Sequence, residues 1–292
     1  MKLPTKLPLA TCALTALLLL SACASGPPGV RLDTSYRSEN QDSRVLFLVL
    51  HYTVGNFESS LKTLTTGGMV SSHYLVRDDP VIAYRLVEES QRAWHAGPSY
   101  WRGHANLNPS SIGIEIVNPG RQVAADGTVS YAPFPQQQID AVLALSKDIV
   151  RRHQIRPERI LGHSDIQPQS KQDPGPMFPW KQFADAGLIA WPDAGMVAAR
   201  LAGHQAALPG VAWFQEQLAR HGFDVPRHGA LDEATRHVIA AFQMKYRPAK
   251  YDGEPDAETA ALLEVVNLPD GMKLTTSTDP RGRTASTSSS PW

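Results

Sequence analysis

The chain is short of cysteine, of net charge and of long apolar runs, and each shortage excludes something. Its 292 residues include two cysteines, Cys12 and Cys23, both at the extreme N-terminus. No disulfide can cross-link the body of the chain, and a cysteine zinc cage is excluded there too. Any metal site must use His, Asp and Glu. Lys and Arg number 28, as do Asp and Glu, so the large basic surplus of a general nucleic-acid binder is missing. The uncharged, mostly apolar run Leu9–Leu20 is twelve residues long, too short for a spanning helix of ~20. What is present is a hydrophobic content of 42%, enough for real cores and against wholesale disorder. The length leaves room for two domains at ~100–200 residues each.

Residues 1–22 read as a secretory signal, with Lys2 and Lys6 ahead of an apolar segment of suitable length. The segment ends in Leu20-Ser21-Ala22-Cys23, which resembles the bacterial lipobox, whose Cys becomes the lipidated first residue. Ordinary cleavage near Ala22 or Ala24 is the other reading. Acyl chains on Cys23 would hold the protein on a membrane, since each buried methylene contributes ~0.8 kcal/mol. Ala24-Ser25, with no Asp after the Cys, then implies the outer membrane of a Gram-negative cell, facing the periplasm. Loss of residues 1–22 leaves a net charge of −2. Residues 23–43, polar with Gly and Pro, are expected to be the lipid-anchored tether.

Val45–His51 is apolar without alternation, as in a strand buried on both faces. A short helix is expected near 57–66, stopped by Gly67-Gly68. Two β segments, Ser72–Arg77 and Val81–Val87, flank the turn chemistry of Asp78-Asp79-Pro80. In Ile112–Val117, Gly113, Glu115 and Val117 share one face of a strand and the isoleucines the other. Ile139, Val142, Leu143, Ile149 and Val150 mark one face of a helix over Pro135–His153. Arg159–His163 reads as a short strand, residues 164–180 as a polar loop with four prolines, and Trp180–Gly187 as a last helix. This irregular alternation predicts an α/β domain with a mixed central sheet flanked by helices, over 44–189. Residues 190–209 read as an unpatterned Ala/Gly-rich linker.

Residues 210–266 read as a small all-α module of three helices with an internal repeat. Gly229-Ala-Leu-Asp-Glu-Ala-Thr235 matches Gly253-Glu-Pro-Asp-Ala-Glu-Thr259 in the spacing of Gly, Asp and Thr. Asp232 and Asp256 stand where N-caps would. The Ser/Thr-rich stretch 267–292 is expected to be a disordered tail.

Position sorts the ten histidines. His51 and His163 each end an expected strand, where side chains meet at the lip of an α/β sheet. Asp173 follows in the Pro-rich loop, two residues after Lys171. Two His and one carboxylate would leave a tetrahedral zinc one open position for water. Glu115, in a strand of Ile and Val, needs a partner or a task. Singly, each has an ordinary reading: a surface His, a salt-bridged strand Glu, a solvated loop pair.

Together, Val49-Leu-His51-Tyr-Thr53, Ser72-His-Tyr74, Ala93-Trp-His-Ala-Gly97, Ser111-Ile-Gly-Ile-Glu-Ile-Val-Asn118, Gly162-His163-Ser-Asp165 and Lys171-Gln-Asp-Pro-Gly-Pro176 resemble, in order, the zinc N-acetylmuramoyl-L-alanine amidases of the amidase-2 (AmpD/AmiD-type) family. The resemblance covers about residues 43–188. The lipobox and the C-terminal module point to its outer-membrane lipoprotein type. The repeat resembles a type-1 peptidoglycan-binding module. The family implies one Zn2+ per chain held by His51, His163 and Asp173, with Glu115 as general base and then acid, and Lys171 stabilising the oxyanion. Tyr52, His73, Trp94, His95 and Asn118 are expected to line the substrate site, with a structural role the other reading for His73 and His95. The expected partners are peptidoglycan and muropeptides, and a membrane through the lipid on Cys23, with no nucleic acid. A non-catalytic peptidoglycan receptor on the same fold and a zinc peptidase acting within the stem peptide are the alternatives. The receptor would be signalled by a missing ligand, and none is missing.

Overall fold

Branched and aromatic residues build β1 (Phe47–Tyr52), every residue of which is buried, as a strand covered on both faces requires. In the computed structural model, residues 29–275 are described. The expected signal 1–22, Cys23 and the end of the tail lie outside the described residues. The chain divides into Met1–Asp42 and Ser43–Trp292. In the first unit, residues 29–42 are exposed and form no helix or strand. The rest of this description concerns the second.

Asn56 caps α1 (Phe57–Thr65) by accepting the Ser59 N–H at 2.9 Å. β2 (Tyr74–Val76) and β3 (Ala83–Arg85) pair antiparallel on either side of Asp78-Asp79-Pro80. Two ribbons not foreseen in the sequence follow. β4 (Tyr100–Trp101) pairs with β5 (His104–Ala105) before β6 (Ser111–Ile116), and β7 (Arg121–Val123) pairs with β8 (Val129–Tyr131) after it. α2 (Gln136–His153) leads through β9 (Ile160–Gly162) directly into α3 (His163–Ile166), a helical turn where a loop was expected, and then to α4 (Trp180–Asp185).

The main sheet has five strands in the order β3-β2-β6-β1-β9. β2, β6, β1 and β9 run parallel and β3 antiparallel, so the mixed sheet is as expected. Strand parity splits the core. Leu48, Leu50, Ile112, Ile114 and Ile116 pack against α2 through Ile139, Val142 and Ile149, and against α4 through Trp180 and Phe183. Phe47 and Val49 face the other way, and by the same alternation so does His51.

That second face is covered by the C-terminal region: β10 (Trp191–Pro192), α5 (Ala194–Ala206), α6 (Val211–His221), α7 (Glu233–Tyr246), α8 (Ala257–Val266) and β11 (Met272–Lys273). Phe47, Val49, Trp101, Leu161 and Ile166 share one continuous cluster with Phe214, Leu218, Phe242 and Leu263. Burying such side chains contributes ~1.5–3 kcal/mol each.

Two expectations are corrected here. The stretch 190–209 is not an unpatterned linker: it holds α5, which packs along α8. No residue of α5 is fully buried, which is why no apolar stripe marks it. Alanine propensity and Asp193, which accepts the Met196 N–H at 2.9 Å, make it helical. Glu264 of α8 holds it through Arg200 at 2.9 Å and His204 at 2.8 Å. The start of the 267–292 tail is ordered as well, since β11 pairs antiparallel with β10 and the Gly271 carbonyl accepts the Asp193 N–H at 2.8 Å.

The repeat is visible in three dimensions. Asp232 and Asp256 cap α7 and α8, each accepting a Thr N–H at 2.8 Å. Buried Gln215 donates to Thr235 Oγ1 at 2.8 Å and accepts the Gly229 N–H at 2.8 Å. Gln243 donates to Thr259 Oγ1 at 3.0 Å and accepts the Gly253 N–H at 2.9 Å. Among the described residues no helix is long and apolar enough to cross a membrane.

Candidate metal centre

β1 lies between β6 and β9, so the carboxyl ends of these three strands open on the crevice where α/β sheets place their ligands. His51 stands near the end of β1, and Glu115 is its register partner on β6. His163 is the first residue after β9. The 164–180 stretch then returns Asp173 beneath them. His51 Nδ1 lies 3.0 Å from His163 Nδ1 and 3.0 Å from Asp173 Oδ2, and His163 Nδ1 lies 3.2 Å from the same oxygen. All three residues are buried.

The ring tautomers follow from a fixed end. Ser111 donates its hydroxyl proton to the Leu107 carbonyl at 2.8 Å, so its oxygen must accept from His95 Nε2, 3.1 Å away. His95 Nδ1 is then bare and accepts the Nε2 proton of His51 at 3.0 Å. That leaves His51 Nδ1 bare. In the same way His163 Nε2 donates to Gln167 Oε1 at 3.2 Å, leaving its Nδ1 bare. Two imidazole lone pairs and a carboxylate oxygen thus meet with no proton among them, an arrangement that requires a cation. The edges of this triangle approach the ~3.3 Å expected for a tetrahedron with bonds of ~2.0–2.1 Å, so the donor set fits zinc. Each imidazole donates its Nε2 proton to an outer acceptor, His95 for His51 and Gln167 for His163, which is how ligating histidines are oriented in metal sites generally.

Electrostatics agree with this protonation. Burial, with His163 adding to it, holds His51 down to about 4, hence neutral at neutral pH. Glu115 is driven the opposite way: burial raises it well above the usual range, Asp173 adds to that and Lys171 opposes it. Its Oε2 is closed to solvent and has no hydrogen-bond partner.

These groups border a cleft of about 550 Å³ lined by Glu115, Lys171, Asp173, Tyr52, Trp94 and His95, among others. Lys171 is exposed at its rim. Two residues expected to line the substrate site do not. His73 is fully buried, with Nδ1 accepting the Gly113 N–H at 3.1 Å and Nε2 facing the Gln91 carbonyl at 3.2 Å. Asn118 is used up by the chain itself: its Oδ1 accepts the Gly120 N–H at 2.7 Å and its Nδ2 donates to the Pro133 carbonyl at 3.0 Å. Sequence reasoning missed Gln167, which holds His163, and Arg121 and His237, which also border the cleft. Only Gln167, one helical turn after His163, carried a signal.

Comparison with known proteins bears on this geometry. Residues 41–176 match the Amidase_2 family, described as N-acetylmuramoyl-L-alanine amidase, and residues 208–263 match the PG_binding_1 peptidoglycan-binding domain family. The chain is 46% identical over 263 residues to the N-acetylmuramoyl-L-alanine amidase AmiD of Escherichia coli K12, covering 86% of this chain and 94% of that protein. It superposes with a TM-score of 0.73 on the complex of E. coli AmiD with the substrate anhydro-N-acetylmuramic acid-L-Ala-D-γ-Glu-L-Lys, at 45% identity, covering 82% of this chain and 95% of that one. Pseudomonas aeruginosa AmpDh3 in complex with anhydromuramic pentapeptide gives a TM-score of 0.74 at 39% identity, covering 80% and 96% of the two chains.

Proposed function

The chain belongs to the N-acetylmuramoyl-L-alanine amidase family, and on that premise we propose how its residues divide the work. The reaction is hydrolysis of the amide between N-acetylmuramic acid and the L-alanine of the stem peptide, in cell-wall turnover or recycling. His51, His163 and Asp173 hold one zinc ion, which when bound brings the pKa of a water toward ~7 and polarises the scissile carbonyl. Glu115 takes the proton of the attacking water at Oε2 and returns it to the leaving L-alanine nitrogen. Its raised pKa suits a group that must keep that proton between the two steps. Lys171 faces the developing oxyanion from the rim. His95 and Gln167 hold the two imidazoles in the ligating tautomer. Tyr52 and Trp94 wall the substrate. The 208–263 region holds peptidoglycan, and Cys23 carries a lipid that anchors the protein at the outer membrane, facing the periplasm.

One observation carries this reading: three bare acceptor atoms converge within 3.2 Å beside a carboxylate oxygen that has no partner. The test is digestion of anhydro-N-acetylmuramic acid-L-Ala-D-γ-Glu-L-Lys with zinc-loaded and chelator-treated protein. The expected products are a free lactyl carboxylate and a peptide with an L-alanine amine, lost on chelation and regained with zinc. Cleavage within the peptide, or full activity without metal, overturns the reading.

A further inference from the structure

The three residues assigned to metal and oxyanion in one segment, His163, Lys171 and Asp173, sit on a connection that has little regular structure of its own. α3 is four residues long, and no helix or strand lies between it and α4. Its own backbone bonds fold it, Ser164 N–H donating to the Asp173 carbonyl at 2.8 Å and Lys171 N–H to the Gln167 carbonyl at 3.1 Å, and contacts from outside must seat it on the rest of the molecule. Two contacts from the C-terminal region do so, and both come from α7.

The first is an ion pair. Lys245 Nζ, near the end of α7, lies 2.6 Å from Asp165 Oδ2, with side chains 7% and 1% exposed. The same carboxylate oxygen accepts the Gly162 N–H at 2.8 Å. Asp165 therefore ties the backbone just before His163 to a cation from another part of the chain. Lys245 is itself seated on the Trp180 ring, 4.3 Å from its centre. The second contact is at the other end of α7. Gln169 donates to the Ala234 carbonyl at 3.1 Å, and its Oε1 lies 3.3 Å from His237 Nδ1. Gln169 lies two residues before Lys171, and it and His237 both border the cleft.

We propose that α7, in the region matching a peptidoglycan-binding domain, is a positioning element of the metal site, gripping the segment that carries His163, Lys171 and Asp173 at Asp165 and at Gln169. The proposal rests on the assignment of those residues to a zinc site. Lys245 touches no ligand and acts through Asp165 and Gly162 on the placement of His163. A wall-binding module that served only to keep substrate near would have no need of a buried lysine reaching into the catalytic half.

The test uses the full chain. The double variant K245M/D165N removes the grip without leaving a buried unpaired charge, and Q169A removes the second contact at an exposed position that folding does not need. Zinc affinity is measured by competition with a chromophoric chelator, cobalt(II) absorption reports ligand geometry, and thermal melting reports stability. Zinc binding by the wild-type chain is measured first, since its failure would strike the metal assignment and not this proposal. The expected result is zinc held about 10- to 100-fold more weakly in the double variant, in the range seen when outer partners of metal ligands are lost. Its cobalt spectrum should be altered and its melting temperature near that of the wild type. Q169A should show a smaller loss of the same kind. Zinc affinity within about threefold of wild type in both variants, with unchanged cobalt spectra, overturns the proposal. If the double variant fails to fold, the same criterion applied to Q169A alone decides.

Discussion

Replacing Gly113 by alanine is expected to weaken the metal site without touching a ligand. Gly113 lies in the middle of β6, and a Cβ built there would stand 2.5 Å from His95 Cγ, 2.7 Å from Nδ1 and 2.8 Å from Cδ2. Carbon atoms in ordinary contact are ~3.5–4.0 Å apart, so the ring must retreat by about 1 Å. It has no free direction. Its nitrogens are engaged by His51 and Ser111, and its backbone N–H donates to Asn108 Oδ1 at 3.0 Å. Overpacking of this kind costs about 1–3 kcal/mol, a fall in Tm on the order of 5 °C for a protein of this size. Retreat also stretches the 3.0 Å contact from His51 Nε2 to His95 beyond hydrogen-bond range, freeing the His51 ring to turn. Zinc affinity should then fall by about 10- to 100-fold. Chelator competition and thermal melting measure both effects. In a His95→Ala background the added methyl has room, so the second substitution should cost almost nothing further. The reasoning is refuted if Gly113→Ala keeps wild-type zinc affinity, or if its cost is the same with and without the His95 ring.

Three other outcomes are expected. Glu115→Gln should keep its zinc while turnover falls ~10²–10⁴-fold, and Lys171→Ala should keep zinc and lose ~10²–10³-fold, whereas His51→Ala should lose metal and activity together; metal analysis beside kinetics would expose an inverted assignment. A chain stopped at Ala190 should aggregate. It strips the cover from the apolar face of Phe47, Val49, Leu161 and Ile166 and uncovers Trp101, whose ring packs on Phe223 and His221 at 5.1 and 5.7 Å; a monomeric fragment with a cooperative melt would contradict this. Burial, aided by Arg102 and Lys245, holds His221 down to about 3 against an ordinary 6.5. The unfolded chain therefore takes up this proton first, and the His221 contribution to stability, complete above pH ~6.5, is lost as pH falls toward ~3 at up to ~1.4 kcal/mol per unit. Melting temperatures of the wild type and His221→Phe should converge over that window, and a constant difference would contradict it.

The positions of His51, His163 and Glu115 were legible because each sits where a local pattern breaks. His51 and His163 end apolar strands, and Glu115 interrupts alternating isoleucines. The orienting chain from Ser111 through His95 to His51 was not legible. It depends on a missing Cβ at Gly113, and a glycine in a strand announces a close approach without saying of what. α5 escaped because a helix with no buried residue leaves no stripe to read. Asn118 was misplaced, and His73 was left between a structural and a substrate-lining role, for a related reason: lying in motifs beside site residues does not decide whether a side chain turns to the cleft or is spent on nearby backbone. Lys245 and Asp165 are 80 residues apart, and only the packing of α7 on the sheet brings them together.

The continuous core beneath the cleft and the C-terminal helices has a mechanical consequence. On a flexible leash, a wall-holding domain lets a cleft sweep the volume around its grip, and the effective concentration of substrate declines smoothly with leash length. Here the two are cast in one piece, so the assembly behaves as a caliper with fixed jaws. With peptidoglycan held by the 208–263 region, as proposed above, a stem peptide at the matching distance and angle from the grip would meet the cleft at high effective concentration, and one at another spacing would not. Cutting of intact wall should therefore be patterned along the strand, while small soluble fragments, which need no grip, should be cut without regard to that spacing.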